Sequence, residues 1–288
     1  MKFWGVGFVL LATTLFAQTQ SSTPTIQRPI LIQEIHVTGT RSPGSTQLNE
    51  IISPLNLVKV RSSDEIGERL RFQFQNFGYF KVELQSLQAK PLDPLATPTP
   101  VTVEAEVAEG PRFRFGEIQF RNIHALTAEQ LHDSFPIHAG DFFSRNKVGT
   151  GLEATRKAYA KLGYIDMYCI PEVQVGGEVV NLTIDVSEGK QYRLGTAEFA
   201  GNPEAAEQLR PRWELESGKP FDYSYLQSFL EENASLFPST FDRENSVTVA
   251  RNCRDNTVAV FIELSPNHPN VVAPKDSGCD QNPNEKKN

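Results

Sequence analysis

The feature that most constrains this chain is a strand pattern that returns about every 80 residues. The pattern, apolar-x-apolar-x-x-apolar-x-apolar, occurs as ILIQEIHV from Ile30, as FRFGEIQF from Phe113 and as YRLGTAEF from Tyr192. The copies therefore lie 83 and 79 residues apart. A repeat of this length can bury a small core of its own, so the spacing predicts three tandem units rather than one continuous core.

The central copy, from Phe113 to Gln191, shows most clearly how a unit begins. Its strand pattern changes phase by one residue at Gly116, which indicates a β-bulge. Thr127 and Gln130 then have the spacing of a capping box. A short helix is therefore predicted to follow the first strand directly.

The second half of the same copy completes the order of elements. Ser144 is placed as the N-cap of a longer helix, and Gly163 as the left-handed residue that ends it. Two extended runs follow, and Gly176-Gly177 between them is a strong hairpin signal. The predicted unit is βααββ, and the predicted fold class is α+β: three tandem domains, each with two helices on a three-stranded mixed sheet.

The flanking copies follow this order with local changes. In the first copy Ser62 and Glu65 form another capping box, and the proline-rich stretch from Lys90 to Pro100 predicts an exposed loop between the last two strands. The third copy diverges, because no Leu-Gly-Tyr ends its second helix. The predicted domain boundaries are 30–111, 112–190 and 191–266.

The two ends of the chain differ in composition from the repeats. Residues 1–17 combine a basic residue with a short apolar run, which is typical of a secretory signal peptide. Residues 18–29 and 267–288 are polar and contain several prolines, so we expect a disordered leader and a disordered tail. An exported protein is the prediction, and a retained membrane anchor at the N-terminus is the alternative that stays open.

Charge and residue patterns narrow the function classes. The net charge of −7 argues against nucleic acid as a partner, because phosphate contacts need a surplus of Lys and Arg. The histidines and serines match no catalytic or metal-binding motif, so we expect neither an enzyme nor a metal nor a cofactor. Of the three cysteines, Cys253 and Cys279 are a candidate disulfide, whereas Cys169 is interpreted as an ordinary strand residue.

A sheet edge is the candidate functional site. If the first strand of the central unit lies beside the third, the second strand has one unpaired side, and Pro171 in its middle agrees with an edge position. An open edge can bind an extended chain through main-chain hydrogen bonds. The alternative is an edge that its proline and charges protect from such pairing. The candidate polypeptide-binding residues are Met167, Tyr168, Cys169, Ile170, Glu172 and Val173.

Three short motifs within this repeat resemble a known family. A strand opening of the FGEIQF kind, a helix ending in LGY and a closing V-x-E-G, at Val107 to Gly110 and Val186 to Gly189, are similar to the polypeptide-transport-associated (POTRA) domain. The resemblance is greatest to the versions in outer-membrane barrel-assembly and translocation-assembly factors. It implies a periplasmic module that guides unfolded outer-membrane proteins, in part by edge-strand addition.

The resemblance sets the expected function and its alternatives. Only 23 residues follow Ser265, so we expect no membrane barrel within this chain. The expected protein is a non-enzymatic periplasmic scaffold that binds unfolded clients or a separate barrel protein, and that meets the outer membrane only through a partner. The alternatives are an adaptor for division or secretion anchored in the inner membrane, and an exported hydrolase or small-ligand binder.

Overall fold

Three mixed sheets follow one another along the chain, each with its own core. The structure, a computed structural model, describes residues 29–265 and 273–279. The predicted signal peptide at 1–17 and the predicted leader as far as residue 28 lie outside the described residues. The sheets define unit 1, unit 2 and unit 3, and the expected α+β fold of tandem βααββ units is confirmed. The proposed boundaries between the domains stay predictions.

Unit 1 has one strand more than expected. Its elements are β1 (Ile30–Thr38), α1 (Ser45–Ile52), β2 (Lys59–Val60), α2 (Ser63–Asn76), β3 (Glu83–Pro91) and β4 (Thr99–Ala108). The sheet order is β2-β1-β4-β3, with β1 parallel to β4. The prediction of three strands is wrong here because the chain turns at Leu57, whose φ is 61° and whose N–H donates to the Ile32 carbonyl. That turn lays β2 beside β1.

Unit 2 has the predicted topology. Its elements are β5 (Arg114–Arg121), α3 (Ala128–His132), α4 (Arg145–Lys161), β6 (Tyr168–Gly176) and β7 (Val179–Ser187). The sheet order is β5-β7-β6, and β5 is parallel to β7. The register of that pair shifts between Phe115 and Ile118, which confirms the bulge predicted at Gly116. The capping box at Thr127 and the N-cap at Ser144 are also present.

Unit 3 keeps the sheet but changes the helices. Its elements are β8 (Arg193–Ala200), α5 (Pro203–Leu209), α6 (Tyr223–Glu232), α7 (Arg243–Ser246), β9 (Val247–Asn252) and β10 (Thr257–Glu263). The sheet order is β8-β10-β9. The additional short helix α7 stands between α6 and the hairpin, where units 1 and 2 have a tight turn after a glycine.

The glycine that ends the second helix also joins one unit to the next. Gly78 and Gly163 have φ values of 93° and 88°, and each closes a Schellman motif. The carbonyl of Gly78 accepts the N–H of Phe113 at 2.7 Å, and that of Gly163 accepts the N–H of Tyr192 at 2.8 Å. A Cβ at Gly163 would lie 2.4 Å from the Tyr192 carbonyl oxygen. Glycine is therefore required here both for backbone conformation and for the approach of the next unit.

Part of the expected disordered tail is attached to unit 3. Residues 273–279 lie against β9, and Cys279 forms a disulfide with Cys253. The prediction of disorder across 267–288 is wrong for this segment. Its composition is polar, but a covalent link and specific contacts to β9 hold it in place.

Candidate functional site

Strand β6 lies at the edge of the unit 2 sheet. It pairs antiparallel with β7 from Tyr168 opposite Ser187 to Gly176 opposite Val179. Within residues 29–265 and 273–279 no strand pairs with its other side. The placement of the second strand at the edge is as predicted from the sequence.

The outward-facing backbone groups of β6 can be assigned from its hairpin. Two residues separate Gly176 from Val179, and such a loop is closed by a hydrogen-bonded pair. Because the pattern alternates, the odd-numbered residues point their N–H and C=O groups away from β7. Pro171 falls in this set, so its missing N–H removes no bond between β6 and β7. Val173 and Val175 direct unpaired N–H groups outward.

An apolar groove runs between helix α4 and the inner side of β6. One part of it, with a volume of about 420 Å³, lies between Val148 and Leu152 on α4 and Pro171 and Val173 on β6. A second part, of about 310 Å³, continues along Leu152 toward Cys169. A strand added to β6 would therefore turn alternate side chains into an apolar channel.

Unit 1 supplies one wall of this groove, which the sequence did not reveal. Phe72 on α2 and Phe80 line it together with Phe143, and the rings of Phe80 and Phe143 lie 5.0 Å apart between centroids. Phe80 belongs to unit 1 in sequence but packs on the core of unit 2. An aromatic residue two positions after a helix-ending glycine is the only signal that the sequence carried for this contact.

The two units are also fixed by polar contacts beside the groove. The guanidinium of Arg145 donates to the Gln75 side chain at 3.1 Å, and the N–H of Asn146 donates to the Asn76 side chain at 2.8 Å. These bonds tie the start of α4 to the end of α2. The wall from unit 1 is therefore held in position next to the open edge.

The six predicted site residues differ in exposure, and Cys169 lies between the two extremes. Tyr168 and Ile170 are 56% and 53% exposed, and Glu172 and Val173 are exposed as well. Met167 is only 6% exposed and belongs to the core of unit 2, so its assignment to the edge is wrong. The strand begins one residue later, because the N–H of Met167 is held by the Tyr164 carbonyl in a turn.

Cys169 and Glu172 are held in different environments. Burial raises the pKa of the Cys169 thiol, so it stays protonated near neutral pH. A neutral thiol facing the groove contributes apolar surface rather than a nucleophile. Glu172 lies on the opposite face of the sheet, 3.7 Å from Arg121, and gives that face its polar character.

A partly buried carboxylate fixes the loop that follows β5. One oxygen of Glu188 accepts the N–H groups of His124 and Ala125, at 2.6 and 2.9 Å, and the Tyr159 hydroxyl at 2.9 Å. Burial raises the pKa of Glu188, but these three hydrogen bonds outweigh it and the pKa lies below its ordinary value. In unit 1, Glu109 accepts the N–H groups of Arg41 and Ser42 in the same manner. The glutamate of V-x-E-G is thus a structural acceptor.

The part of the chain that the structure describes offers neither a cluster of metal ligands nor a membrane-spanning helix. In the described residues no group of three or more His, Cys, Asp or Glu side chains is arranged to hold a metal ion. Across the same ranges, no helix combines the length and the apolar composition that crossing a membrane requires.

The central unit is similar to a known family of repeats. Residues 113–189 match the family model of POTRA, described as a surface antigen variable number repeat. The chain is 26% identical over 202 residues to a putative outer membrane protein assembly factor of Treponema pallidum. That match takes in 63% of this chain, which spans 23% of the length of the relative.

Comparison with solved structures extends the fold to all three units. The crystal structure of POTRA domains 3 to 5 of BamA from Haemophilus influenzae covers 85% of this chain and 99% of its own, with a TM-score of 0.59 and 18% identity. The N-terminal domain of Omp85 from Thermosynechococcus elongatus covers 82% of this chain and 97% of its own at 17% identity, with a TM-score of 0.31. The BamA match shows that the chain has the fold of consecutive POTRA domains.

Proposed function

We propose that this chain, whose residues 113–189 form a POTRA domain, is a non-enzymatic periplasmic scaffold in outer-membrane protein assembly or transport. It binds unfolded outer-membrane proteins in extended form, or a segment of a separate barrel protein, by adding a strand to β6. The similarity to a putative outer membrane protein assembly factor supports a role in outer-membrane protein assembly. The disulfide between Cys253 and Cys279 supports an exported location, because such bonds persist in oxidising compartments.

The observation that carries the proposal is the open edge of β6 beside an apolar groove. Main-chain hydrogen bonds to the edge accept nearly any extended sequence, while the groove selects apolar side chains at alternate positions. Strands of outer-membrane barrels have this alternation, with apolar residues on one face and polar residues on the other. An unfolded strand of that kind would turn its apolar side chains toward α4 and its polar ones toward the face that carries Glu172.

A proline scan of the edge tests the proposal. Val173→Pro removes one outward N–H without affecting the bonds to β7, and Val173→Ala removes a similar apolar contact but keeps the N–H. Pro171→Val adds an outward N–H at the neighbouring position on the same side. The loss or gain of one main-chain hydrogen bond is worth about 1 kcal/mol, which is about 5-fold in the dissociation constant.

The assay is fluorescence anisotropy with a labelled peptide of alternating valine and threonine, about ten residues long as in a barrel strand. We expect the affinity for the peptide to decrease in the order Pro171→Val, wild type, Val173→Ala, Val173→Pro. Equal affinities for the two Val173 variants, together with no gain from Pro171→Val, would show that the peptide does not pair with this edge. Unchanged amide exchange in β7 controls for damage to the sheet.

A further inference from the structure

Unit 3 also has an edge strand, but the chain closes it with its own C-terminal segment. Strand β9 occupies the position that β6 has in unit 2. The N–H of Ser277 donates to the Arg251 carbonyl at 2.8 Å, and the N–H of Cys253 donates to the Ser277 carbonyl at 2.9 Å. Asn252 and Ser277 form a parallel bridge. Within the segment 273–279, Ser277 therefore makes the backbone contacts of one residue of an added strand.

Two side-chain links fix this segment at the edge. The disulfide between Cys253 and Cys279 joins its end to the residue that follows β9. The carboxylate of Asp276 accepts the backbone N–H of Arg251 at 2.7 Å and the Nε–H of the same residue at 2.9 Å. One oxygen of Asp276 thus binds the outward-facing N–H of Arg251, which an incoming strand would otherwise use.

The edge of β9 is lined by a groove, as the edge of β6 is. A cavity of about 450 Å³ lies between Tyr223 and Gln227 on α6 and Val249 and Arg251 on β9, and Asp276 forms part of its wall. A further cavity of about 540 Å³ continues along Val247. The segment therefore borders one end of a longer channel.

We propose that the edge of β9 is a second strand-acceptor site, for which segment 273–279 is the built-in occupant. The site takes an extended peptide in parallel register, with an acidic residue immediately before the residue that pairs with Asn252. Specificity resides in Arg251, whose guanidinium and backbone N–H both bind the acidic side chain. The inference concerns a different strand from β6 and holds whether or not β6 binds clients.

Occupation of the site is coupled to the junction between units 2 and 3. The guanidinium of Arg251 also donates to Asp166 at 2.6 Å, and Asp166 lies in the turn just before β6. The neighbouring Ile165 packs on the core of unit 3. Release of Asp276 leaves Arg251 bound to Asp166 alone, so the same side chain serves the junction and the acceptor site.

Opening of the site requires reduction of one disulfide. A dithiol supplies the two electrons and two protons: its thiolate attacks one sulfur of the pair and releases the other cysteine, and its second thiolate then attacks the mixed disulfide and releases the first cysteine. The products are the Cys253 thiol, the Cys279 thiol and the oxidised dithiol. The segment then loses its covalent link but keeps its hydrogen bonds and the ion pair between Asp276 and Arg251.

The first experiment measures closure in the full chain. Amide hydrogen exchange of Cys253 and Ser277 is followed in the oxidised protein, in the protein treated with dithiothreitol, and in the Cys253→Ser/Cys279→Ser variant. We expect both amides to exchange at least about tenfold faster in the last two samples, while the amides of β10 keep their rates. Unchanged protection of both amides would overturn the claim that the disulfide keeps the edge closed.

The second experiment supplies the occupant in trans. The probe is a synthetic peptide of residues 273–279 with serine in place of Cys279 and a photoreactive group. The variant Cys253→Ser/Cys279→Ser/Ser277→Pro prevents its own segment from pairing, because the proline lacks the N–H that Arg251 accepts. We expect at least about tenfold more crosslinking to residues 247–253 in this variant than in the oxidised wild type.

Two controls make the result specific. A probe with asparagine at the Asp276 position should crosslink several-fold less, because it loses the charged bond to Arg251. The crosslinked residues are then mapped: products at 168–176 instead of 247–253 would refute a β9 site while supporting binding at β6. Equal crosslinking of the oxidised wild type and the triple variant would also refute the proposal.

Discussion

Replacement of Glu188 by alanine should destabilise unit 2 without affecting unit 3. The carboxylate is the hydrogen-bond acceptor for Tyr159, whose side chain is fully buried, and for the N–H groups of His124 and Ala125. The variant leaves the buried hydroxyl without its acceptor, at a cost of about 1–3 kcal/mol. The half-buried N–H of Ala125 adds about 1 kcal/mol, whereas the loop at His124 is exposed to water.

Glu188→Ala should therefore lower the free energy of unfolding of unit 2 by about 3 kcal/mol in total. Amides that exchange through opening of unit 2 should then exchange about 100-fold faster. The measurement is native-state hydrogen exchange of the β7 amides in the full chain, with the β10 amides as an internal reference. Exchange separates the units, whereas a single melting curve of a chain with three cores does not.

A second substitution tests the reasoning itself. Tyr159→Phe removes the hydroxyl that Glu188→Ala leaves without an acceptor, so the double variant should be about 1–2 kcal/mol more stable than Glu188→Ala alone. Strictly additive losses from the two substitutions would refute the account. A loss below about 0.5 kcal/mol for Glu188→Ala would refute it as well, since surface changes are of that size.

Two further outcomes follow from the same unit. Gly149→Ala should stabilise α4 by about 0.5–1 kcal/mol, because the added Cβ meets nothing within 4 Å. Gly151→Ala should destabilise unit 2 by about 1–3 kcal/mol, because its Cβ would lie 2.1 Å from the Phe135 ring. The exchange rates of the β7 amides measure both effects, and equal effects of the two substitutions would contradict the packing argument. The depressed pKa of Glu188 contributes stability that is fully present above its unfolded value of about 4.3 and is lost as the pH falls through the folded value. Exchange measured as a function of pH should therefore show a steeper acid-side loss in the wild type than in Glu188→Ala, and parallel curves would exclude this role.

The sequence was sufficient for features that depend on neighbouring residues. The capping box at Thr127, the bulge at Gly116 and the left-handed glycine at Gly163 are each determined within a few positions, and all three are present. The edge position of β6 followed from Pro171 and from compactness of the unit.

Features that depend on distant residues were not predicted. The two-residue strand β2 is too short to show a period, and its pairing is set by a turn at Leu57. The groove wall at Phe72 requires the packing of α2 on α4, which no local pattern encodes. Composition favoured disorder near Asp276, but a pairing with Arg251, 25 residues earlier, decides the conformation there.

The hydrogen bonds at Gly78 and Gly163 join consecutive units in the same way. Each unit is fixed to the preceding one through the main-chain carbonyl of the glycine that ends the second helix of that preceding unit. Substitutions of exposed side chains that make no contact between units should therefore leave the geometry of the junctions unaltered. A duplicated unit inserted after Gly163 should have the same rotation and translation relative to its neighbours. A bulkier residue at Gly78 or Gly163 would change the orientation of every unit that follows it.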